Sequence, residues 1–221
     1  MITFTTINDE FGWLSNKSNH TITFQDITFP RADHWFICSR FNFDKEIVNE
    51  ICKTLDPLEA KQLFKQIIRK NPELLKVRLL SKEDVKNMEI LLQMKIEQHP
   101  WMKWHLMCTG NQMIYEDVTK KANVNDSSLF WGAAYICENQ DYVDCFWTGE
   151  NMLGKLWMNL RQSLIANFYY NECTKSSENG LTLFLKHKET DEIVQRSELN
   201  SNEDITSALI KKITGKYYGN Y

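Results

Sequence analysis

No run in these 221 residues approaches the roughly 18 consecutive apolar side chains that a bilayer-spanning helix needs. The opening MITFTTINDEFGWL holds no basic segment followed by an apolar one. A soluble, unexported chain without a membrane partner is therefore predicted, residing in the cytoplasm, or in the host cytoplasm if the source is viral. Charge of one sign is also lacking: 26 basic residues stand against 29 acidic ones, mixed along the chain, for a formal charge of −3. No summed field draws in a nucleic-acid backbone, which argues against non-specific DNA or RNA binding. The six cysteines (Cys38, Cys52, Cys108, Cys137, Cys145, Cys173) form no CxxC pair and no cluster with histidine. The spacings of a structural zinc site are thus missing, and no metal is expected. Dense disulfide frameworks belong to short exported chains, so all six read as thiols. Internal repeats are absent as well.

What is present is a 43% hydrophobic chain, long enough to bury a substantial core in one compact domain with an appendage. Its wealth of Asn, Lys and Ile suits an AT-rich coding genome, as in a phage, a virus or a low-GC bacterium. MITFTT and HTITFQDITFP alternate with period two, the signature of half-buried strands in a hairpin or sheet edge, and Pro30 ends the second run. RADHWFICSRFN predicts a buried helix, and KEIVNEICKTL (45–55) an amphipathic one. In DPLEAKQLFKQIIRK, Asp56 is placed as N-cap with Pro57 at the first helical position. Pro72 opens a further helical stretch. Another runs from Ser81 to about His99, with SKED as a capping box and Met88, Leu91, Leu92 and Lys95 along one side.

HPWMKWHLMCTG stops at Gly110, and NQMIYEDV reads as a strand. The polar loops TKKANVNDSS and ENQDYVD flank LFWGAAYI, and NMLGKLWMNLRQSLIANFYY is an amphipathic helix that closes the helical core near residue 170. NECTKSSENG then reads as a linker, LTLFLKHKE as a strand and SNEDITSALIKKI as a capped helix. The fold class is α+β, predominantly helical, with a main domain over 1–174 and a C-terminal strand and helix appendage over 175–221.

Three segments carry candidate chemistry. PRADHWFICSRF sets Asp33, His34 and Arg40 into apolar surroundings, where ionised groups are costly unless partnered. A solvent-facing stripe is the alternative reading. GENMLG brackets Asn151 with Gly149 and Gly154 just before a helix, a geometry suited either to plain turn chemistry or to backbone N–H groups approaching a phosphate. FGWLSN ends in Ser15 and Asn16, which either hydrogen-bond a ligand or cap the loop. Trp131 is a candidate stacking surface, whereas Trp101, Trp104 and Trp157 read as core.

Taken in order, FGWLSN, PRADHWFICSRF, PLEAK, Met88 with Lys95, Thr109–Gly110, Glu116, Trp131–Gly132 and GENMLGKLWMNLR resemble the NADAR family over about three quarters of the chain. That resemblance implies cleavage of N-glycosidic bonds, in phosphorylated intermediates of riboflavin synthesis or in ADP-ribosylated guanine, through the acidic residue of the second motif. Asp33 stands at that position, a methylene shorter than the family's Glu. The resemblance further implies assistance from Glu116 or Asp126, sugar contacts from Asn16 and Asn151, and phosphate neutralisation by Arg161 or Arg40. His34, Trp131 and Gly154 complete the implied ligand site, with no metal and no organic cofactor. Ile37, Arg40, Ser128 and Ala133 stand where the family pattern has Gln, Lys, an acidic residue and a polar one.

Two functions follow from this set. One is an N-glycosidase acting on a phosphorylated ribosyl compound, with ADP-ribosylated nucleic acid among its candidate substrates. The other is a module that binds ADP-ribose or an NAD-derived nucleotide without turnover, in defence or counter-defence between virus and host.

Overall fold

The computed structural model describes residues 1–121, 124–137, 145–177, 180–187 and 193–198, with side-chain surroundings through residue 166. The ENQDYVD loop and the helix predicted for SNEDITSALIKKI lie outside the described residues, as does the side chain of Cys173. The fold is α+β and mainly helical, and the chain divides into two units. One comprises Met1–Pro100 with Met113–Trp157, the other Trp101–Gln112 with Met158–Tyr221.

In the first unit, strand β1 (Ile2–Phe4) does not join the neighbouring hairpin. It pairs in parallel with β4 (Ile114–Glu116), Phe4 opposite Glu116. The hairpin is β2 (Ile22–Phe24) with β3 (Ile27–Phe29), closed by Gln25 and Asp26 at φ 49° and 63°, the left-handed pair that matches a tight two-residue turn to strand twist. Pro30 and Arg31 then lead into α1 (Ala32–Ser39), which is buried on nearly every side and packs against three helices: α2 (Lys45–Lys53), α3 (Pro57–Lys70) and α4 (Lys82–Gln98). Those three form where their caps and stripes direct. Asp44 accepts from the N–H groups of Glu46 and Ile47, Asp56 from Leu58, and Ser81 from Asp84. The apolar faces Ile47/Val48/Ile51, Ala60/Phe64 and Met88/Leu91/Leu92/Ile96 are buried.

Two local expectations differ. The stretch after Pro72 makes only a 3-10 turn, Pro72–Leu74, because the N–H groups of Lys76 and Val77 both donate to the Arg40 carbonyl and hold the chain in a loop. The capping box at Ser81 is half made, since the Asp84 carboxylate pairs with Arg40 and reaches back to the N–H of Leu80 instead of that of Ser81.

Downstream, α6 (Asp126–Trp131) leads into the antiparallel pair β5 (Ala134–Cys137) and β6 (Cys145–Thr148), and α7 (Met152–Phe168) follows. Cys137 lies opposite Cys145 in this pair, and the two form a disulfide. That corrects the reading of all six cysteines as thiols: a separation of eight residues looked unremarkable until strand pairing set the Cα atoms 4.1 Å apart. Cys38 and Cys52 are free thiols.

The second unit holds α5 (Trp101–Cys108), the later turns of α7, and the antiparallel sheet β7 (Tyr169–Ser177), β8 (Gly180–His187) and β9 (Ile193–Glu198). Strand β7 runs through the stretch read as a linker, because its backbone pairs with β8 along most of its length. Among the described residues no helix is long and apolar enough to cross a membrane.

Candidate active site

Asp33 sits in the first turn of α1, where the helix dipole favours a carboxylate, and its N–H donates to the Asn16 carbonyl at 3.0 Å. Burial raises its pKa above the ordinary carboxylate range. The charges of Lys17, Lys61 and Arg40 pull it back down, while Glu116 pushes it further up. Residues far apart in sequence therefore converge on one carboxyl group.

The loop that delivers Asn16 and Lys17 is held by its carbonyl oxygens. Lys95 Nζ donates to Trp13 O at 2.7 Å, to Ser15 O at 2.8 Å and to Ser18 Oγ at 2.9 Å, while Trp157 Nε1 donates to Leu14 O at 3.0 Å. With Asn16 O accepting from Asp33 and Lys17 O accepting from Arg31 Nη1 at 2.6 Å, five consecutive carbonyls are bound. Lys95 is 0% exposed, and its ammonium spends all three donors on this loop. Burial lowers its pKa to about 7, with the Asp33 charge opposing the shift. Asn16, 6% exposed, donates from Nδ2 to the Met88 sulfur at 3.1 Å, and its Oδ1 has no partner. A buried acceptor without a partner is costly, and Asn16 Oδ1 has the chemistry to accept from a hydroxyl or N–H.

Arg31 ties this loop to the next wall of the site, since its Nε also donates to Leu55 O at 3.2 Å, two residues before α3 begins. Lys61 lies in the second turn of α3. The residue is exposed, yet its ammonium is partly desolvated and its pKa lowered, with Asp33 opposing and Lys17, Lys121 and Lys65 reinforcing the shift. On the β4 side, Glu116 accepts from Lys121 Nζ at 3.1 Å. The half-buried Trp131 stands edge-on to Phe36, one turn along α1 from Asp33, with ring centroids 5.5 Å apart.

Several residues singled out from the sequence hold the fold. Arg40 makes a bidentate pair with the fully buried Asp84 at 2.8 and 2.9 Å and lies over the Phe36 ring. His34 is 0% exposed and turns its Nε2 to the carbonyl and hydroxyl of Thr54. Asn151, at φ 49°, donates to Ile114 O and accepts from Glu116 N, bracing β4. Gly154 permits that approach, because a Cβ there would run into Ile114 O and the Asn151 amide. In the second unit, Arg161 Nη1 donates to Thr109 Oγ1 at 2.7 Å and to Gln112 O at 2.9 Å. Asp126 is exposed at the start of α6.

Lys17, Lys61, Lys95, Lys121 and Arg31 were not singled out as site residues. For Lys95 a signal was visible: a lysine on the same stripe as Met88, Leu91 and Leu92 must be buried with partners. Among the described residues no group of three His, Cys, Asp or Glu side chains is placed to hold a metal ion.

The fold is α+β, and its half-buried Asp33 carboxyl lies under the charges of Lys17, Lys61, Arg40 and Glu116. Residues 3–165 match the NADAR domain, and the chain belongs to the NADAR family. It is similar to the N-glycosidase YbiA of Escherichia coli strain K12 and to that of Shigella flexneri serotype 5b. Each is 26% identical over 167 residues, covering 74% of this chain and 88% of the relative. The fold is similar to the NMR structure of the E. coli protein YbiA, with a TM-score of 0.51 at 24% identity over 74% of this chain and 83% of that one.

Proposed function

We propose that the chain hydrolyses the N-glycosidic bond of a phosphorylated ribosyl compound, with Asp33 as its catalytic carboxylate. The observation that carries the reading is Asp33 itself: a half-buried acid at a helix start, its pKa raised by burial and its carboxyl under the charges of Lys17, Lys61 and Glu116. Its occurrence in a NADAR chain whose curated relatives are named N-glycosidases supports the reading.

Breaking the bond between C1′ and the base nitrogen leaves positive charge on the ribose ring and a proton demand on the departing nitrogen. A carboxylate near C1′ stabilises the first and orients the water that attacks. Glu116 is a second carboxylate for the proton traffic, Asn16 Oδ1 receives a ribose hydroxyl, and Trp131 offers an aromatic face. ADP-ribosylated guanine and the phosphoribosyl intermediates of riboflavin synthesis are the substrates to offer, and nucleic acid bearing the first is included. The binding-module reading is favoured by one observation: Asp33 is a methylene, about 1.5 Å, short of the family's Glu, and misplacement of about 1 Å costs roughly a hundredfold in rate.

The two readings separate when purified protein is incubated with both substrate classes and free base is followed by mass spectrometry. Release supports the hydrolase. Tight binding of ADP-ribose with no release from either class supports the binding module.

A further inference from the structure

Both arginines expected to neutralise phosphate are engaged elsewhere: Arg40 in its bidentate pair with Asp84, and Arg161 on Thr109 and Gln112. By contrast, Lys17 and Lys61 act on the Asp33 carboxyl, and Lys65 and Lys121 act on Lys61, four positive charges where Asp33 and Glu116 supply two negative ones. The whole chain carries −3, so this excess is local.

Its placement is built into the backbone. Asp33 N–H holds Asn16 O, Arg31 bridges the Lys17 and Leu55 carbonyls, and Leu55 precedes the helix that carries Lys61. Lys121 has Glu116 as its partner at 3.1 Å, whereas no hydrogen bond or ion pair within the described residues engages the ammonium of Lys17 or Lys61. Clustered cations without internal partners repel one another, a cost that a bound anion removes.

We propose that Lys17 and Lys61 form the phosphate seat of this site, with Lys121 at its margin, and that the neighbouring Asn16 Oδ1 receives a hydroxyl of the same phosphorylated sugar. Consecutive residues of one clamped loop then read both parts of the ligand, Asn16 the sugar and Lys17 the anion. The assignment rests on the same site as the hydrolase reading and does not require turnover. The phosphate is either a terminal sugar monoester or part of a bridging diphosphate, and both present the same oxyanion to the lysines.

Isothermal titration of the full chain with ribose 5-phosphate, ADP-ribose and unphosphorylated ribose tests it, alongside Lys17→Gln, Lys61→Gln and, as a control on exposed α2, Lys45→Gln. One of the two phosphorylated ligands is expected to bind well ahead of ribose, and the better one identifies monoester or diphosphate. Each site variant should weaken that ligand about ten- to a hundredfold, the worth of one charged hydrogen bond, with Lys45→Gln unchanged. Circular dichroism on each variant separates lost binding from lost fold; Lys61 is exposed, so its replacement should fold. Ribose binding as tightly as its phosphates, or folded Lys17→Gln and Lys61→Gln binding them like wild type, overturns the assignment. Lysine-dependent binding without base release would leave the phosphate seat standing and remove the hydrolase reading; base release indifferent to both lysines would do the reverse.

Discussion

Replacing Lys95 with Met keeps an unbranched apolar stem of similar length on α4 and removes the ammonium that holds Trp13 O, Ser15 O and Ser18 Oγ. Ser15 O retains the Ser18 N–H at 3.1 Å, and Ser18 Oγ retains His20 Nδ1 at 2.9 Å. Trp13 O has a long 3.5 Å contact from Ser18 Oγ. Three acceptors weakened together cost about 3–6 kcal/mol, and removing a desolvated charge returns part of that, leaving a net loss of about 2–4 kcal/mol. For a chain of this size that is about 5–15 °C in Tm, read by circular dichroism at pH 7.

A pH series adds a signed test. The folded pKa of about 7 lies below the ordinary 10.5, so the unfolded chain binds more protons between them and this group's contribution to stability rises with pH. The gap between wild type and Lys95→Met should therefore widen from pH 7 towards 10. A variant that melts with wild type at pH 7 refutes the clamp, and a gap that narrows with pH refutes the lowered pKa.

Arg40→Met should destabilise by about 3–5 kcal/mol, because Asp84 is left as an unpaired buried charge, and adding Asp84→Leu should restore part of the loss in urea unfolding. Gly154→Ala drives a Cβ into Ile114 O and the Asn151 amide, and should cost about 2–4 kcal/mol by the same measurement. His20, whose pKa burial lowers from 6.5 to about 4, resists protonation in the fold, so stability drains as pH falls through that window. His20→Gln should flatten this part of the Tm-against-pH curve.

Helices were readable because caps and stripes are local: Asp56–Pro57, Ser81 and the row Met88/Leu91/Leu92 act within a few residues of where they stand. Pairings were not. β1 meets β4 across more than a hundred residues, and no local pattern encodes a partner so distant. The polar NECTKSS became a strand because ladder hydrogen bonds to β8 outweigh turn propensity. Asp33 announced itself as an acid inside an apolar run. Lys61 stood in PLEAK without a role, because its place on α3 alone reads as that of a solvated lysine until the Arg31 bridge brings α3 beside the Asn16 loop.

The account turns on Asp33, and single-turnover base release by wild type and Asp33→Asn, each at matched circular dichroism and matched ligand affinity, tests it most directly. A fall of about 10²–10⁴-fold with binding kept is predicted, the range for a positioned acid or base. Release by folded Asp33→Asn at the wild-type rate would contradict it.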